Sequence, residues 1–535
     1  MDLDAAPFNS TPLSDPHISL ASMHCSEDLV DAPALTARRQ FNTLCPINRL
    51  PPEILSHVFE DVLEPVQLHG DIFTWISSTT SLRSTKDLRE VSHVCHRWRQ
   101  ISLSHHALWS HIHDSPDHTS PTPVFLQRSV HVPLKVCSTT NALSPFMLHL
   151  GRTHGARIQE LRITSFLDPR IYTDFPAPAL RQLVIQSNPI SDRPYLIELF
   201  QGEAPLLRSL APQSSSWLPA NLFTNLTRLY LSSFIQRPGL PRANWTLYNL
   251  SSFLAKCPAL EDVFIHPRHP MGLRDATLPI IRLRHLKTII LAGVSLNLVL
   301  WFLYHVTIPT GDVTVRILWL CRSGIETTLL PVLPHLPELV GLRKLHIQLA
   351  PAKDNSMKAL VRVALSTANT SLELRIDNMI EHVEESQDPG WTSALLASLA
   401  NRMALSNITE MQVIDGGWIQ KFFDFPALFA LLPALSVLVY SKGNKDQFVR
   451  LLKHLLPLSS GPDPAPCPCT HLATLHVCVG EIPTMIDDMV SFACDRRACG
   501  CPLRKCIVEV ASGMTESCDA SKLESYVDLV EIQSC

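Results

Sequence analysis

The sequence predicts an α/β protein in which a small helical domain precedes a long array of strand–helix units. Three observations lead to this fold class. Apolar residues make up 46% of the 535-residue chain, whereas glycine is scarce, at 18 residues. Apolar stripes of helical period occupy residues 46–113, and a short strand-like apolar pattern recurs from about residue 124 to the end. Helix-capable segments separate the copies of this pattern, as an alternating strand–helix architecture requires.

Residues 1–45 form a lead that is rich in Asp, Ser, Pro and Ala, and we expect it to be disordered. The lead has no basic stretch followed by an apolar core, so it does not read as a secretory signal. We therefore expect the 15 cysteines to be free thiols and the chain to lie in the cytoplasm, the nucleus or both.

Composition and motifs exclude several classes of function. A net charge of −4 gives no electrostatic footprint for nucleic acid. The phosphate-binding patterns GxGxxG and GxxxxGK[ST] are absent, as are the nucleophile elbow GxSxG and the zinc-protease pattern HExxH. We predict no catalytic residues, no cofactor and no metal.

The helical block at residues 46–113 holds two apolar stripes. In the first, Pro51 and Pro52 suit the opening turn of a helix, and Asn48 is a candidate cap. Apolar residues follow at helical spacing at positions 54, 55, 58, 59, 62 and 63. The second stripe runs from Leu88 to Ile101 and is followed by Leu108, Trp109 and Ile112. If only the stripes are considered, the alternative interpretation is a small helical cap on the repeat array.

This block resembles an F-box, through L-P-P-E-I-L-x-x-V-F at 50–59, V-S-x-V-C-x-x-W-R-x-I at 91–101 and A-L-W at 107–109. It is most similar to the F-box-like domain of proteins abundant in mushroom-forming fungi, which irregular leucine-rich repeats often follow. The resemblance implies a non-catalytic substrate-receptor subunit of an SCF-type cullin–RING ubiquitin ligase, docked on a Skp-type adaptor. A non-degradative F-box scaffold is the alternative. By motif position, the resemblance assigns adaptor binding to Leu50, Pro51, Ile54, Leu55, Phe59, Val91, Val94 and Trp98.

A Pro/Ser/Thr/Asp-rich linker, residues 114–123, leads into the repeats. Their pattern is h-x-x-h-x-h, where h is apolar, and copies recur at intervals of 19 to 37 residues. The clear copies are centred on Leu161, Leu183, Leu229, Val263, Ile289, Leu345, Met411, Leu438 and Leu475, and the weaker ones on Leu210, Ile317, Leu374 and Val508. Such spacing predicts an irregular leucine-rich-repeat solenoid over 124–535, with parallel strands on the concave face and helices on the convex face. A doubly wound α/β domain is the alternative.

Residues 288–311 contain no Asp, Glu, Lys or Arg and are long enough to cross a bilayer. The same stretch is in register with the repeats, as a strand at Ile289–Leu291 and a helix at Leu296–Val306. We expect this buried strand and helix, and no membrane partner.

The repeat pattern also predicts a binding surface for an unidentified protein target. Side chains alternate across a strand, so the residue between the last two apolar positions points away from the core. In the first half of the array this row is apolar at Val184, Tyr230, Phe264 and Ile290. An exposed apolar row typically marks a binding surface, so we assign target binding to these four residues. A loop or the linker folded over the row is the alternative.

Nine of the 15 cysteines lie in the last 69 residues, and those at positions 467, 469, 494, 499, 501 and 506 are considered as zinc ligands. Their C-x-C and C-x4-C spacing departs from the C-x2–4-C pairs of zinc sites. We interpret them as reduced, partly buried thiols, with a structural zinc as the alternative.

Overall fold

A computed structural model describes most of the chain in segments: residues 32–63, 85–114, 122–139, 144–165, 167–187, 195–213, 217–232, 246–266, 280–293, 296–309, 313–321, 342–351, 359–367, 371–377, 399, 405–415, 424–441, 445–457, 467–478, 483–510 and 521–534. The chain divides into two compact units. Unit 1 comprises Met1–Val66 and Arg83–Leu108, and unit 2 comprises Gln67–Leu82 and Trp109–Cys535.

The α-helices of the described segments are numbered in chain order. They are α1 Ala32–Leu44, α2 Pro52–Leu63, α3 Thr85–His93, α4 His96–Ser104, α5 Thr122–Arg128, α6 Pro145–His154, α7 Pro169–Tyr172, α8 Leu247–Ala255, α9 Leu296–His305, α10 Phe425–Ala430, α11 Lys445–Lys453, α12 Pro483–Ala498 and α13 Ser521–Glu524.

The strands are numbered in the same way. They are β1 His111–Asp114, β2 Leu134–Ser138, β3 Ile158–Ser165, β4 Gln182–Ser187, β5 Tyr195–Ile197, β6 Ser209–Gln213, β7 Trp217–Pro219, β8 Arg228–Ser232, β9 Asp262–His266, β10 Ile281–Arg282, β11 Thr288–Ala292, β12 Val306–Thr307, β13 Thr314–Cys321, β14 Lys344–Pro351, β15 Ala359–Ser366, β16 Ser371–Asp377, β17 Glu410–Asp415, β18 Val437–Ser441, β19 Thr474–Cys478, β20 Lys505–Val510 and β21 Leu529–Ser534.

Unit 1 is helical. Helix α2 packs against both α3 and α4, and their shared core is built from the buried side chains of Leu55, Phe59, Leu88, Val91, Ile101 and Leu108. The chain breaks between α3 and α4, where Cys95 adopts an extended conformation and its Sγ accepts the Trp98 N–H as an N-cap. Two helices therefore stand where the sequence showed one continuous apolar stripe.

The expected disordered lead is wrong for its second part, because residues 32–44 form α1. Residues 1–31 lie outside the described segments. Asn48 does not cap α2: it lies in a 3-10 turn, Pro46–Arg49, that precedes Pro51 and the first residue of the helix, Pro52.

Unit 2 is a mixed α/β structure around a large, mostly parallel sheet. Seventeen described strands pair in the order β1-β2-β3-β4-β6-β8-β9-β11-β13-β16-β15-β14-β17-β18-β19-β20-β21. Each predicted copy of the apolar pattern coincides with one of these strands. In β19, for example, the last two apolar residues of the copy, Leu475 and Val477, are buried, while their neighbours Thr474, His476 and Cys478 are half-buried.

The expectation of uniformly parallel strands is wrong at one place. Strand β15 runs antiparallel to both β14 and β16, so β16 takes the position beside β13, and β14 the position beside β17. Its sequence, ALVRVALS, also carries the h-x-x-h-x-h spacing, at Leu360, Val363 and Leu365, but it is not among the predicted copies. The pattern carries no information on strand direction, so it could not predict the reversal.

The predicted linker starts and ends inside elements. Asp114 is the last residue of β1, which pairs with β2 at the start of the sheet, and Thr122 begins α5. Residues 115–121 lie outside the described segments.

The uncharged stretch forms the predicted elements, since Thr288–Ala292 is β11 and Leu296–His305 is α9. Among the residues that the structure describes, no helix is both long and apolar enough to span a membrane.

Candidate protein-binding site

Helix α2 is apolar on two faces. Leu55 and Phe59, one turn apart, are 0% and 1% exposed and lie in the core of unit 1. Ile54 and Val62, two turns apart, are 46% and 65% exposed, and Val58 between them is half-buried. A surface helix ordinarily has polar residues opposite its buried stripe. We call Ile54, Val58 and Val62 the open stripe of α2.

The turn before α2 is held in place by two consecutive residues of α4. The Arg97 guanidinium donates from Nη2 to the Leu50 carbonyl oxygen at 2.7 Å. The Trp98 indole Nε1–H donates to Asn48 Oδ1, also at 2.7 Å, and its ring lies 4.9 Å from the Phe59 ring, centroid to centroid. These contacts fix the start of α2, and therefore the direction in which its open stripe faces.

The other end of α4 is fixed to the middle of α2. His105 Nε2 lies 2.7 Å from Glu60 Oε1, and His57 Nδ1 lies 3.5 Å from Glu60 Oε2. Glu60 and His105 are each about a quarter exposed. Their contact aligns α2 and α4 along the side of α2 that does not carry the open stripe.

The eight residues assigned to adaptor binding separate into three groups. Leu55, Phe59 and Val91 are buried, so the assignment of direct contact is corrected for them: they shape the unit from within. Leu50 and Trp98 are half-buried and join the turn to α4. Pro51, Ile54 and Val94 are exposed, and Val94 is so because it lies in the break between α3 and α4.

Sequence reasoning missed several exposed apolar side chains in unit 1. Val62 was placed in the apolar stripe but not among the predicted adaptor-binding residues. Its i+8 spacing from Ile54 puts both residues on the same exposed face of α2. Phe41 and Leu44 of α1 are 70% and 63% exposed and precede Ile47, which is also exposed. Asn48 Nδ2 donates to the Asn42 carbonyl oxygen at 2.7 Å and ties the end of α1 to the 3-10 turn.

The four residues assigned to target binding lie side by side on one face of the sheet, here called the outer face. Val184 is on β4, and Tyr230, Phe264 and Ile290 stand in one register line across β8, β9 and β11. They cluster with Ala211 and Leu318, and the Tyr230 and Phe264 rings stack at 4.2 Å.

Their expected exposure is wrong for three of the four. Val184, Tyr230 and Ile290 are buried, whereas Phe264 is half-buried. Adjacent strands lie about 4.8 Å apart, so large apolar side chains in one register line cover one another.

The described thiols of the C-terminal region form no disulfide bonds and differ in exposure. Cys494 and Cys499 are exposed, whereas Cys469 and Cys506 are buried, and burial raises the pKa of each of the latter two to about 12. The Cys469 thiol donates to the carbonyl oxygens of Phe429 and Leu432. Such protonated, hydrogen-bonded thiols are poor nucleophiles and poor metal ligands.

A family model described as F-box-like matches residues 47–115, which includes the 3-10 turn, α2, α3, α4 and β1. No curated protein matches the chain. A domain of this kind indicates a role as a ubiquitin-ligase adaptor or in another protein–protein interaction.

Proposed function

Because this chain is an F-box protein, with its F-box-like domain at residues 47–115, we propose that it is the substrate-receptor subunit of an SCF-type cullin–RING ubiquitin ligase. In this role the domain docks on a Skp-type adaptor and unit 2 binds a protein target. The chain itself carries out no chemistry. It holds the lysines of the target close to the charged conjugating enzyme, and so raises their effective concentration.

The open stripe of α2 is the observation that carries the proposal. An apolar helix face in contact with water is unfavourable, by about 25 cal/mol for each Å² of apolar surface, unless a partner covers it. Interfaces of this kind have apolar anchors at the centre and a polar rim. Ile54 and Val62 supply the anchors. Pro51 and Val94 are two further exposed apolar residues at motif positions.

The experiment is a pulldown of a purified Skp-type adaptor by the full chain. Changing Ile54 and Val62 together to Ser should abolish capture, because it removes both anchors and leaves the core of unit 1 unchanged. Changing Leu50 and Pro51 together to Ala should also reduce capture, through the turn that positions α2.

The matched control changes two apolar residues of unit 2 that are more exposed than Ile54 and Val62, namely Leu222 and Ile280, to Ser. Capture should remain at the wild-type level in this control. Undiminished capture by the Ile54/Val62 variant, with unchanged circular dichroism, would show that the open stripe does not bind the adaptor.

We further propose that the sheet of unit 2 is the strand layer of an irregular leucine-rich-repeat solenoid. Successive strands from β1 to β4 and from β17 to β21 are parallel neighbours in chain order, and their inward residues are apolar. Targets then dock on the outer face, where half-buried Phe264 gives access to the apolar cluster around Tyr230.

A substrate receptor is distinguished from a non-degradative scaffold by the fate of its target. Proteins labelled by a proximity enzyme fused to the full chain are the candidate targets. Deletion of the chain should lengthen their half-lives if it is a receptor. Unchanged half-lives, with labelling intact, would favour the scaffold.

A further inference from the structure

Strands β19 and β20 bring three different metal-ligand side chains together on the outer face of the sheet. His476 and Cys478 are two residues apart on β19, so strand alternation points them to the same side. Glu509 of β20 is the parallel register partner of Cys478, which places the carboxylate beside the thiol. The convergence therefore follows from strand register and needs no loop to fold over it.

The ligand atoms meet around one nitrogen. His476 Nε2 lies 3.0 Å from Glu509 Oε1 and 3.5 Å from Cys478 Sγ, and the three ligand atoms are all within 4.8 Å of one another. Zinc binds sulfur at about 2.3 Å, imidazole nitrogen at about 2.0–2.1 Å and carboxylate oxygen at about 2.0–2.2 Å. In a tetrahedron, these bond lengths separate neighbouring ligand atoms by roughly 3.3–3.6 Å. The two spacings from His476, 3.0 and 3.5 Å, are close to this range, and the spacing between Cys478 Sγ and the Glu509 carboxylate is within 4.8 Å.

We propose that His476, Cys478 and Glu509 bind a zinc ion through Nε2, Sγ and a carboxylate oxygen. The ion pair between His476 and Glu509 uses two of the three groups, and strand register leaves the Cys478 thiol 3.5 Å from the same nitrogen as a third donor. A divalent ion uses all three groups, because it replaces the protons of the thiol and the imidazole with bonds to both atoms.

The donor set and the charges select the metal. A thiolate, an imidazole and a carboxylate suit zinc, whereas magnesium and calcium prefer all-oxygen sites. One thiolate and one carboxylate neutralise the two positive charges of the ion. The register partners on the outer strands, Ser441 beside Cys478 and Gln533 beside Glu509, are uncharged, so they place no competing cation next to the site. The fourth coordination position is filled by water.

None of these three residues belongs to the C-terminal cysteines that were considered as zinc ligands from the sequence, and none belongs to the F-box-like domain. On the same face, Lys505 Nζ forms an ion pair with Glu531 Oε1 at 2.7 Å. The carboxylate of Glu531 is already paired with the Lys505 ammonium group, so a substitution at Glu531 serves as a control for one at Glu509. Failure of the zinc proposal would leave the proposed ligase role untouched, because the two rest on different residues.

The test is a titration of the chelator-treated full chain with Co²⁺, which occupies zinc sites and gives a thiolate-to-metal charge-transfer absorption. The wild-type chain should show this band, and Zn²⁺ should displace it. The band component that belongs to this site should disappear in Cys478→Ser and persist in Cys494→Ser, whose thiol is exposed on α12.

His476→Gln and Glu509→Gln should each weaken Zn²⁺ binding at least about tenfold, since loss of even an outer partner of a metal ligand costs about 10–100-fold. Glu531→Gln should leave the affinity unchanged. Zn²⁺ should also raise the thermal midpoint of the wild type and of Cys494→Ser, but not that of Cys478→Ser, because a ligand bound to the folded state stabilises it.

Two results would overturn the proposal. One is a wild-type chain without a Co²⁺ thiolate band, and the other is a band and a Zn²⁺ affinity that are the same in Cys478→Ser and Glu509→Gln as in the wild type. If Cys478→Ser does not fold, as circular dichroism will show, the two Gln variants decide the outcome.

Discussion

Trp98 shows how a residue of a recognised motif can act inside its own domain. The motif assigned it to adaptor contact, but its indole N–H is donated to Asn48 and its ring lies against Phe59. Neighbouring Arg97 holds the Leu50 carbonyl in the same way. Both side chains therefore fix the turn that sets the orientation of α2. Any effect they have on adaptor binding acts through that turn.

Trp98→Phe should loosen the start of α2 without removing the aromatic contact. The variant keeps a ring against Phe59 but leaves Asn48 Oδ1 without its donor, at a cost of about 1 kcal/mol for a partly buried hydrogen bond. The measurement is hydrogen exchange of the α2 and α4 amides, which reports local opening.

Asn48→Ala provides the control for this contact. If the hydrogen bond accounts for the loss, the double variant Trp98→Phe/Asn48→Ala should cost less than the sum of the two single changes. Additive costs would show that the two side chains act independently.

At the scale of elements, the sequence predicted helix α2 but not which of its apolar residues are buried. Its apolar positions and opening prolines predicted a helix, and Pro52–Leu63 confirms it. The same pattern could not separate Leu55 from Ile54, because adjacent apolar residues are compatible with one broad face as well as with two. The position of α4 decides which of the two residues is buried.

The repeat pattern likewise predicted strands better than their order. The predicted copies coincide with strands because each has to bury its alternate apolar side chains in a shared core. The reversal at β14–β15–β16 was not predicted, since antiparallel β15 depends on its pairing with two neighbours and not on a local signal. Among the helix-capable segments that separate the copies, the one at 393–403 lies outside the described residues except for Leu399.

Helix α6 gives an element-scale prediction about close packing. A Cβ at Gly151 would clash with the Phe175 ring, and Phe175 is itself buried, with its ring centroid 5.5 Å from that of Phe200. Gly151→Ala should therefore destabilise unit 2 by about 1–3 kcal/mol through overpacking, even though Ala favours a helix over Gly by about 1 kcal/mol.

The measurement for Gly151→Ala is the thermal midpoint of the full chain. The matched control is Ala at Gly500, another glycine of unit 2, where a Cβ would have no atom within 4 Å but the φ of +76° is unfavourable for a side chain. Phe175→Leu should partly rescue Gly151→Ala by making room, whereas it should not rescue Gly500→Ala. A stabilised Gly151→Ala variant would contradict the packing argument.

At the scale of the whole molecule, the outer face of the sheet changes character along the chain. Its register line is apolar through β8, β9 and β11, at Tyr230, Phe264 and Ile290. Further on, the same row carries His346, Gln412, Val439 and His476, so it is mainly polar, and His346 Nδ1 lies 2.9 Å from Gln412 Oε1. The sequence predicted where the apolar part lies, but its burial depends on contacts between strands. A target that binds this face thus meets apolar and polar regions in a fixed order, which makes the apolar part the source of affinity.

Phe264→Ser should therefore weaken target binding more than it weakens the fold. Its ring is half-buried and accessible, whereas Tyr230, stacked on it at 4.2 Å, is buried. Truncating an aromatic hot spot costs about 2 kcal/mol or more, roughly thirtyfold in affinity. Tyr230→Ser should instead lower the free energy of unfolding by about 3 kcal/mol, as loss of a buried aromatic ring does.

Proximity labelling by a fused enzyme measures binding, and the thermal midpoint measures the fold. Tyr248→Ser, on the exposed side of α8 in the same half of unit 2, is the control and should change neither. If Phe264→Ser lowered stability as much as Tyr230→Ser while labelling per folded molecule stayed constant, the cluster would be core, and the target would have to bind elsewhere. Selective loss of labelling in Phe264→Ser would place the target against the one ring of this cluster that is both large and accessible.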